Sequence, residues 1–374
     1  MATPILQFGT SRFLQAHVDL FVDEALEQGQ ALGHITVVQT TGNPQSTRRI
    51  AAFNTPGGYP VRIRGMIDGA VVDRERRVTA VAAALDAASD WAAVRELAAG
   101  PARVLVSNTG DRGYALDPGD GPHQLEATTP PSSYPAKLLV LLSHRYRSGG
   151  QPLTICPCEL VAGNGSVLRD LVTGLAVAWQ CDEGFIGWLR SHCIWVNSLV
   201  DRIVSEPIDP VGAVAEPYAI WVVEAQPGMV LPCRHPDIVV TDRLEPYERR
   251  KLFLLNLGHT YLAECWFREG GDPGRTVLQA MGDVRLRSEL DAVWEHEVLP
   301  VFDALGEGAE SRAYLAQVRD RFANPFLAHR LADIAQNHGE KKRRRLQPVV
   351  ALAEELKLDL PQPRLRAALE DWTA

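Results

Sequence analysis

Two rhythms of apolar and polar positions alternate along the first 240 residues. Short apolar runs stand at Pro4–Phe8, at the β-branched stretch His34–Gln39, at Arg103–Ser107 and at Leu153–Cys156. Turn-forming residues bound them, which predicts four strands. Gly9 ends the first run and Gly42-Asn43-Pro44 closes the second. Between them Phe13, Ala16, His17, Leu20, Phe21 and Ala25 recur at helical spacing, and the alanine-rich stretch Val78–Leu97 and the segment Tyr134–Arg147 also read as helices. Asp117–Pro122 and Thr128–Ser133 carry the glycines, prolines and aspartates of a surface loop. Strands that alternate with helices predict a parallel sheet covered on both faces.

Past about residue 240 only the helical rhythm remains. Glu245–Phe267, Asp283–Leu305, Ala309–Phe322, Pro325–Asn337, Val349–Leu356 and Pro363–Trp372 all carry it. The expected architecture is an α/β, Rossmann-like domain with a parallel sheet over residues 1–240, then an all-α domain over 241–374. A chain of 374 residues suits two domains.

Composition narrows the function. Apolar residues make up 46% of the chain and charged residues 22%, ordinary globular usage. A net charge of −8 offers no general basic surface for nucleic acid. No apolar run is long enough to span a membrane, and the N-terminus lacks the basic and apolar regions of a signal peptide. The six cysteines contain no C-x-x-C pair, so neither a disulfide framework nor a zinc site is expected. Reduced thiols and a cytoplasmic location follow as the expectation.

The first strand turns into a helix at Gly9-Thr10-Ser11-Arg12-Phe13. In a parallel sheet this is where a dinucleotide's pyrophosphate meets free helix N–H groups, though the turn lacks G-x-G-x-x-G. These five residues are the candidate cofactor-binding turn; a helix start capped by Thr10 or Ser11 is the plainer alternative. The second strand ends on Gln39 where NAD sites usually carry an acid for the ribose, and Arg48 and Arg49 follow shortly after. NAD is the expected cofactor, with NADP left open.

In the second half, Asp242 and Glu245 have the spacing of a capping box for a helix that continues past His259. On an α-helix at about 100° per residue, Asn256 and His259 lie roughly 140° and 80° from Lys251, so the three share one arc. Gly258 beside them would admit a close backbone or substrate. Oxidising an alcohol requires a base for the hydroxyl proton, which a lysine of lowered pKa provides. An amide such as that of asparagine steadies the developing oxygen charge, and a histidine orients it. Taken singly, a lysine on a helix is usually a solvated surface residue.

The spacing K-x(4)-N-x(2)-H of Lys251, Asn256 and His259 has companions in order along the chain. They are Ile5–Gly9 with Phe13–His17, Val106–Thr109, Tyr134–Leu138, Pro157–Leu160 with Asn164-Gly165, and Val196–Ile203. Together these resemble the long-chain polyol-specific dehydrogenases, the family of mannitol dehydrogenase and of fructuronate and tagaturonate reductases. The resemblance runs from residue 5 to about 350. It implies that Lys251 is the general base, that Asn164 and Asn256 form an oxyanion-stabilising pair, and that His259 orients the substrate. It implies further that Asn197 and Asp201 lie at the substrate, that Asn108 lies at the cofactor, and that no metal takes part. The family's S-N-T-T-E-x-G reads Ser107-Asn-Thr-Gly-Asp-Arg-Gly113 here, and Ser11 stands where the family's turn has its second glycine.

A basic run, Lys341–Arg345, could be a solvated charge run or a nucleic-acid patch. The resemblance places a substrate-contacting lysine near Lys341, and Arg345 could pair with a carboxylate. Lys341 and Arg345 are therefore candidate substrate ligands. The reading adopted is a sugar alcohol interconverted with its ketose. A hexonate and keto-uronate pair of the mannonate or altronate type is the alternative, and a non-catalytic ligand-binding homologue ranks behind both. A small-molecule partner, no nucleic acid, no membrane, and a monomer or small homo-oligomer complete the expectation.

Overall fold

The structure, a computed structural model, describes residues 3–41, 44–110 and 113–370. The turn expected at Gly42-Asn43, and Asp111, Arg112 and Trp372, lie outside the described residues. The chain divides into two compact units. The first comprises Met1–Ile63, Arg74–Ala215 and Ala219–Leu244; the second comprises Arg64–Asp73, Glu216–Tyr218 and Glu245–Ala374. The expected boundary after residue 240 compares with a main division after Leu244, and two short excursions of the first half group with the second unit.

Thirteen strands are found among the described residues: β1 (Ile5–Phe8), β2 (Ile35–Gln39), β3 (Tyr59–Ile67), β4 (Ala70–Val78), β5 (Val81–Asp86), β6 (Val104–Ser107), β7 (Leu153–Pro157), β8 (Cys193–Trp195), β9 (Ser198–Asp201), β10 (Val204–Pro207), β11 (Ala213–Ala215), β12 (Ile220–Glu224) and β13 (Ile238–Thr241). Six form one sheet in the order β5-β2-β1-β6-β7-β8. Every pairing in it is parallel. The central strands are buried along their whole length, as a sheet covered on both faces requires. Helices Trp91–Ala99, Tyr134–Arg147 and Asn164–Ala178 pack their apolar residues against it. The Rossmann-like expectation is met. Strand order reverses at β1, which has β2 on one side and β6 on the other, with Phe8 in register with Ser107.

Two expectations about this unit are corrected. Residues 78–97 are not one helix: β5 occupies 81–86 and the helix begins only at Trp91. Alanine's helix preference is overridden because β2 offers an open edge, and β5 pairs with it from Val81 to Asp86. The helix expected over Phe13–Ala25 is broken at His17 into Arg12–Gln15 and Val18–Glu27. The remaining strands make a four-stranded sheet, β10-β11-β3-β4, and a three-stranded one, β13-β12-β9.

No strand follows Thr241 among the described residues, and the rest of the second unit is helical. Its core runs from Phe253 through Trp294 and Phe302 to Leu365. Pro325–Arg330 is not helical; only Leu331–Ile334 is. The helix after Thr241 begins at Glu245, so Asp242 does not hold the cap position. That helix is also not uniform. Residues Glu245–Arg250 are α-helical, Lys251–Asn256 form a π-helical stretch, and Leu257–Arg268 return to α. A second π-helical stretch, Trp294–Val298, lies in the same unit. Among the described residues no helix is long and apolar enough to cross a membrane.

Candidate active site

In the first unit the candidate cofactor residues gather at the carboxyl ends of β1 and β6. This is the switch point of strand order, where open α/β sheets bind nucleotides. Gly9 has φ +112°, and a Cβ there would lie 2.6 Å from Asn108 O, so only glycine lets the two strand ends approach. Ser11 caps the short helix by accepting from Leu14 N at 3.2 Å, and its hydroxyl donates to Asn108 Oδ1 at 3.0 Å. Asn108 in turn donates to Cys158 O at 2.9 Å, tying the turn to the end of β7. The Thr10 hydroxyl donates to Gln39 Oε1 and accepts from Arg49 Nη1 at 2.9 Å. Gln39 is buried and its amide donates to Thr41 O at 3.1 Å. It thus braces the turn from below. Phe13 packs on the buried His17 ring, centroids 4.6 Å apart. A cavity of about 570 Å³ opens beside the turn, lined by Thr10, Ser11, Arg12, Arg48, Arg49 and the loop Pro207–Gly212, with Asp209 as its one carboxylate. Three arginines around a glycine turn suit an anionic dinucleotide.

Two further candidate site residues of this unit link its strands and helices. Asn164 is buried, and its Nδ2 lies 3.0–3.2 Å from Pro157 O, Glu159 O and Ser198 O. Its Oδ1 accepts from Gly165 N and Ser198 N, each at 2.9 Å. Asn164 thus joins the ends of β7 and β9. Asn197 likewise accepts from Ser166 N at 2.9 Å and donates to Glu224 Oε2 at 2.8 Å and to Ser166 Oγ at 3.2 Å. It anchors the start of the helix Asn164–Ala178. Asp201 is buried at the end of β9, opposite Ile220. Glu159, which the sequence reading used only as a motif letter, accepts from Ser107 Oγ, Thr109 N and Thr109 Oγ1 at 3.0–3.1 Å. Burial raises its pKa against those hydrogen bonds.

In the second unit, Lys251 opens the π-helical stretch and Asn256 closes it, both half-buried. The Leu257 N–H reaches back five residues to Leu252 O. In a turn closed by i→i+5 bonds, residues five apart stand nearly one above the other rather than roughly 140° apart. His259, three residues beyond Asn256 on an α-turn, falls on the same side. The π stretch thus brings the three closer than the α-helical wheel implied. Gly258 does not face a substrate: a Cβ there would lie 2.5 Å from Trp294 Cζ2.

His259 is buried, stacked on Phe322 at 4.3 Å between centroids and edge-on to His329 at 4.7 Å. Burial, then nearby His329, Arg321, Arg345 and Lys341, push its imidazole well below the usual range, so it is neutral. The basic run forms the helix His338–Arg345, whose turns sort the charges. Lys342 is buried and donates to Glu264 Oε2 at 2.9 Å, beside His338 Nε2 at 2.8 Å on the same oxygen. Lys341 and Arg345, four residues apart, share another face. Lys341 donates to Ile334 O at 2.7 Å. Arg345 Nη1 donates to Thr260 Oγ1 at 3.1 Å, and Thr260 Oγ1 donates to Asn256 O at 3.0 Å. Burial and the Arg345 charge lower the Lys341 pKa. Burial also lowers that of Arg345, with Arg344 adding to it. Two partly buried cations on one helix face make a place for an anion. Arg321 is already matched, paired with Glu216 at 2.8 Å. Thr260 and His329 were missed from the sequence, where no spacing singles them out. Among the described residues no cluster of three or more His, Cys, Asp or Glu is arranged to hold a metal.

Residues 3–230 match the mannitol dehydrogenase Rossmann domain, and residues 243–373 match the mannitol dehydrogenase C-terminal domain. The chain belongs to the mannitol dehydrogenase family. It is an oxidoreductase that acts on CH–OH groups with a nicotinamide cofactor. Its relatives include an altronate oxidoreductase of Halalkalibacterium halodurans, 33% identical over 92% of this chain and 69% of that protein. An altronate oxidoreductase of Bacillus subtilis is 32% identical over 96% of this chain and 76% of its own. Among solved structures, a substrate-free D-sorbitol dehydrogenase superposes with TM-score 0.83 at 22% identity, covering 99% of this chain and 80% of that one. Mannitol 2-dehydrogenase of Pseudomonas fluorescens, in ternary complex with NAD and D-mannitol, gives TM-score 0.73 at 21% identity, covering 98% and 78%.

Proposed function

We propose that this family member oxidises and re-forms a secondary hydroxyl of a hexonate, an altronate-type sugar acid, with NAD as cofactor. The observation that carries the choice of an acid is the Lys341–Arg345 pair. It puts two cations four residues apart on one helix face, with Arg345 linked through Thr260 to the backbone of Asn256. A neutral polyol gains little from such a pair, whereas a carboxylate gains charge-assisted and bidentate hydrogen bonds. The altronate oxidoreductase relatives support the same choice. This moves the reading from the polyol first adopted to its alternative.

The first unit's part is to hold the dinucleotide. Gly9, Ser11 and Asn108 shape the turn, and Arg12, Arg48 and Arg49 supply positive charge for its phosphates. When bound, the nicotinamide supplies the acceptor for the hydrogen that leaves the substrate carbon with its electron pair. The second unit does the rest. The Lys251 amine takes the hydroxyl proton, so the carbinol C–H and O–H bonds break and a carbonyl remains. The Asn256 amide donates to the oxygen as its charge grows. His259, its basicity lowered by burial, orients the substrate without competing with Lys251 for the proton. Lys341 and Arg345 hold the carboxylate. A substrate panel with altronate, mannonate, mannitol and sorbitol tests the reading. Altronate or mannonate should give the highest kcat/KM; a polyol in first place would overturn it.

A further inference from the structure

The alignment of Lys251 with Asn256 depends on a π-helical stretch, and such a stretch needs something to hold it against the more favourable α spacing. Leu254 O lies where the ladder goes back to α. It receives the Leu257 N–H and a second donor from outside the helix, the indole Nε1–H of Trp294 at 3.1 Å. Trp294 is fully buried and begins the unit's other π-helical stretch. Its ring lies over Gly258, where a Cβ would come within 2.5 Å of Cζ2. It also packs on Phe322, 5.6 Å between centroids, and Phe322 is the ring on which His259 stacks. One side chain thus touches the end of the π stretch, the residue before His259, and the ring that fixes His259.

We propose that Trp294 is a positioning residue, whose indole N–H pins the Leu254 carbonyl and so holds the π register that aligns Lys251 with Asn256. The inference rests on the roles given to Lys251 and Asn256 above. Without the donor, the helix is free to close i→i+4 bonds through this segment. Asn256 then swings about 100° per residue of slip away from Lys251.

Trp294→Phe keeps an aromatic ring, smaller than the indole, and removes the donor. It should lower kcat about 10- to 100-fold. KM for the sugar acid and the Kd of NAD by fluorescence titration should change less than about twofold, because only the reacting groups are misaligned. A larger deuterium isotope effect on kcat with substrate labelled at the reacting carbon should accompany the loss. The control is Trp266→Phe. Trp266 is in the same unit, and its Nε1 donates to Asp272 O at 2.6 Å, so it loses a comparable bond away from the π stretch. If Trp294→Phe lowers kcat no more than Trp266→Phe, the proposal is overturned. If Trp294→Phe does not fold, Gly258→Ala decides, since it pushes the ring away with the donor intact. A folded Gly258→Ala enzyme with wild-type kcat overturns the proposal too. Lys251→Ala separates the two levels. A silent Lys251→Ala sinks the mechanism itself. An inactive Lys251→Ala beside a fully active Trp294→Phe sinks only this inference.

Discussion

Arg345→Gln isolates the charge that the sugar-acid reading assigns to the helix His338–Arg345. Glutamine keeps most of the reach and an N–H for Thr260 Oγ1, which Arg345 now contacts at 3.1 Å. It removes the charge and the fork. Hydrogen bonds to charged groups contribute about 1.5–3 kcal/mol and neutral ones about 1, so replacing a bidentate pair by one neutral bond loses about 2–5 kcal/mol. At 1.36 kcal/mol per decade that is about a 30- to 5,000-fold loss in kcat/KM for altronate or mannonate. Two indirect effects stand beside this one, and both are small. Arg345 helps lower the Lys341 pKa, but burial comes first there, so most of the shift persists in the variant. Arg345 also lowers His259, but burial and His329 rank ahead of it, so the imidazole stays neutral in the variant. Mannitol and sorbitol, which have no carboxylate, should lose less than about threefold, the scale of one weak neutral contact. The assay is initial-rate nicotinamide absorbance on all four substrates at fixed ionic strength. An equal loss on acids and polyols would refute the reasoning, because the residue would then act on the fold or on the reacting end.

Lys251→Ala should lower kcat about 10²- to 10⁴-fold, the usual value of a general base, while the Kd of NAD by fluorescence titration stays unchanged; wild-type turnover would remove Lys251 from the mechanism. Glu264 tests the structural half of the basic run. Burial would raise its carboxyl, but hydrogen bonds from His338 and Lys342 outweigh this and hold it at about 2, so its stabilisation is complete above pH 4.5 and is lost as pH falls through 2. Glu264→Gln should therefore lower the neutral-pH melting temperature and flatten its fall in acid; an unchanged melting curve would contradict the pairing. Asp19 runs the opposite way, with burial lifting it to about 7 despite the Tyr59 hydroxyl at 2.6 Å. Its effect on stability is most favourable below pH 3.8 and is lost as pH rises through 7, about 4 kcal/mol over the range. Asp19→Asn should gain stability over wild type between pH 5 and 8 in urea unfolding, and parallel curves would show that Asp19 is not held protonated.

The parts of this molecule legible in its sequence are those that rest on chain-local chemistry. β1, β2, β6 and β7 could be read because each is an apolar run between turn residues. β3 carried a signal that was passed over, since Tyr59, Val61 and Ile63 alternate and are the buried positions of that strand. β5 carried none, because Val81–Asp86 is half alanine and becomes a strand only through pairing with β2. The site divides the same way. The identities of Lys251, Asn256 and His259 could be chosen from their chemistry and their company along the chain. Their arrangement could not, because nothing in Lys-Leu-Phe-Leu-Leu-Asn marks a π stretch; the donor to Leu254 O comes from Trp294, 40 residues away. Asn164 and Asn197 show the converse. Their place in an ordered motif says that an amide is required, but not which groups distant in sequence it meets, Ser198 for the first and Ser166 and Glu224 for the second. The basic run makes the point by charge: five like residues in sequence become a buried structural lysine and a pair on another face only once a helix separates them and Glu264 claims one. What a polar side chain does here is decided by which of its hydrogen bonds the fold has left unmade.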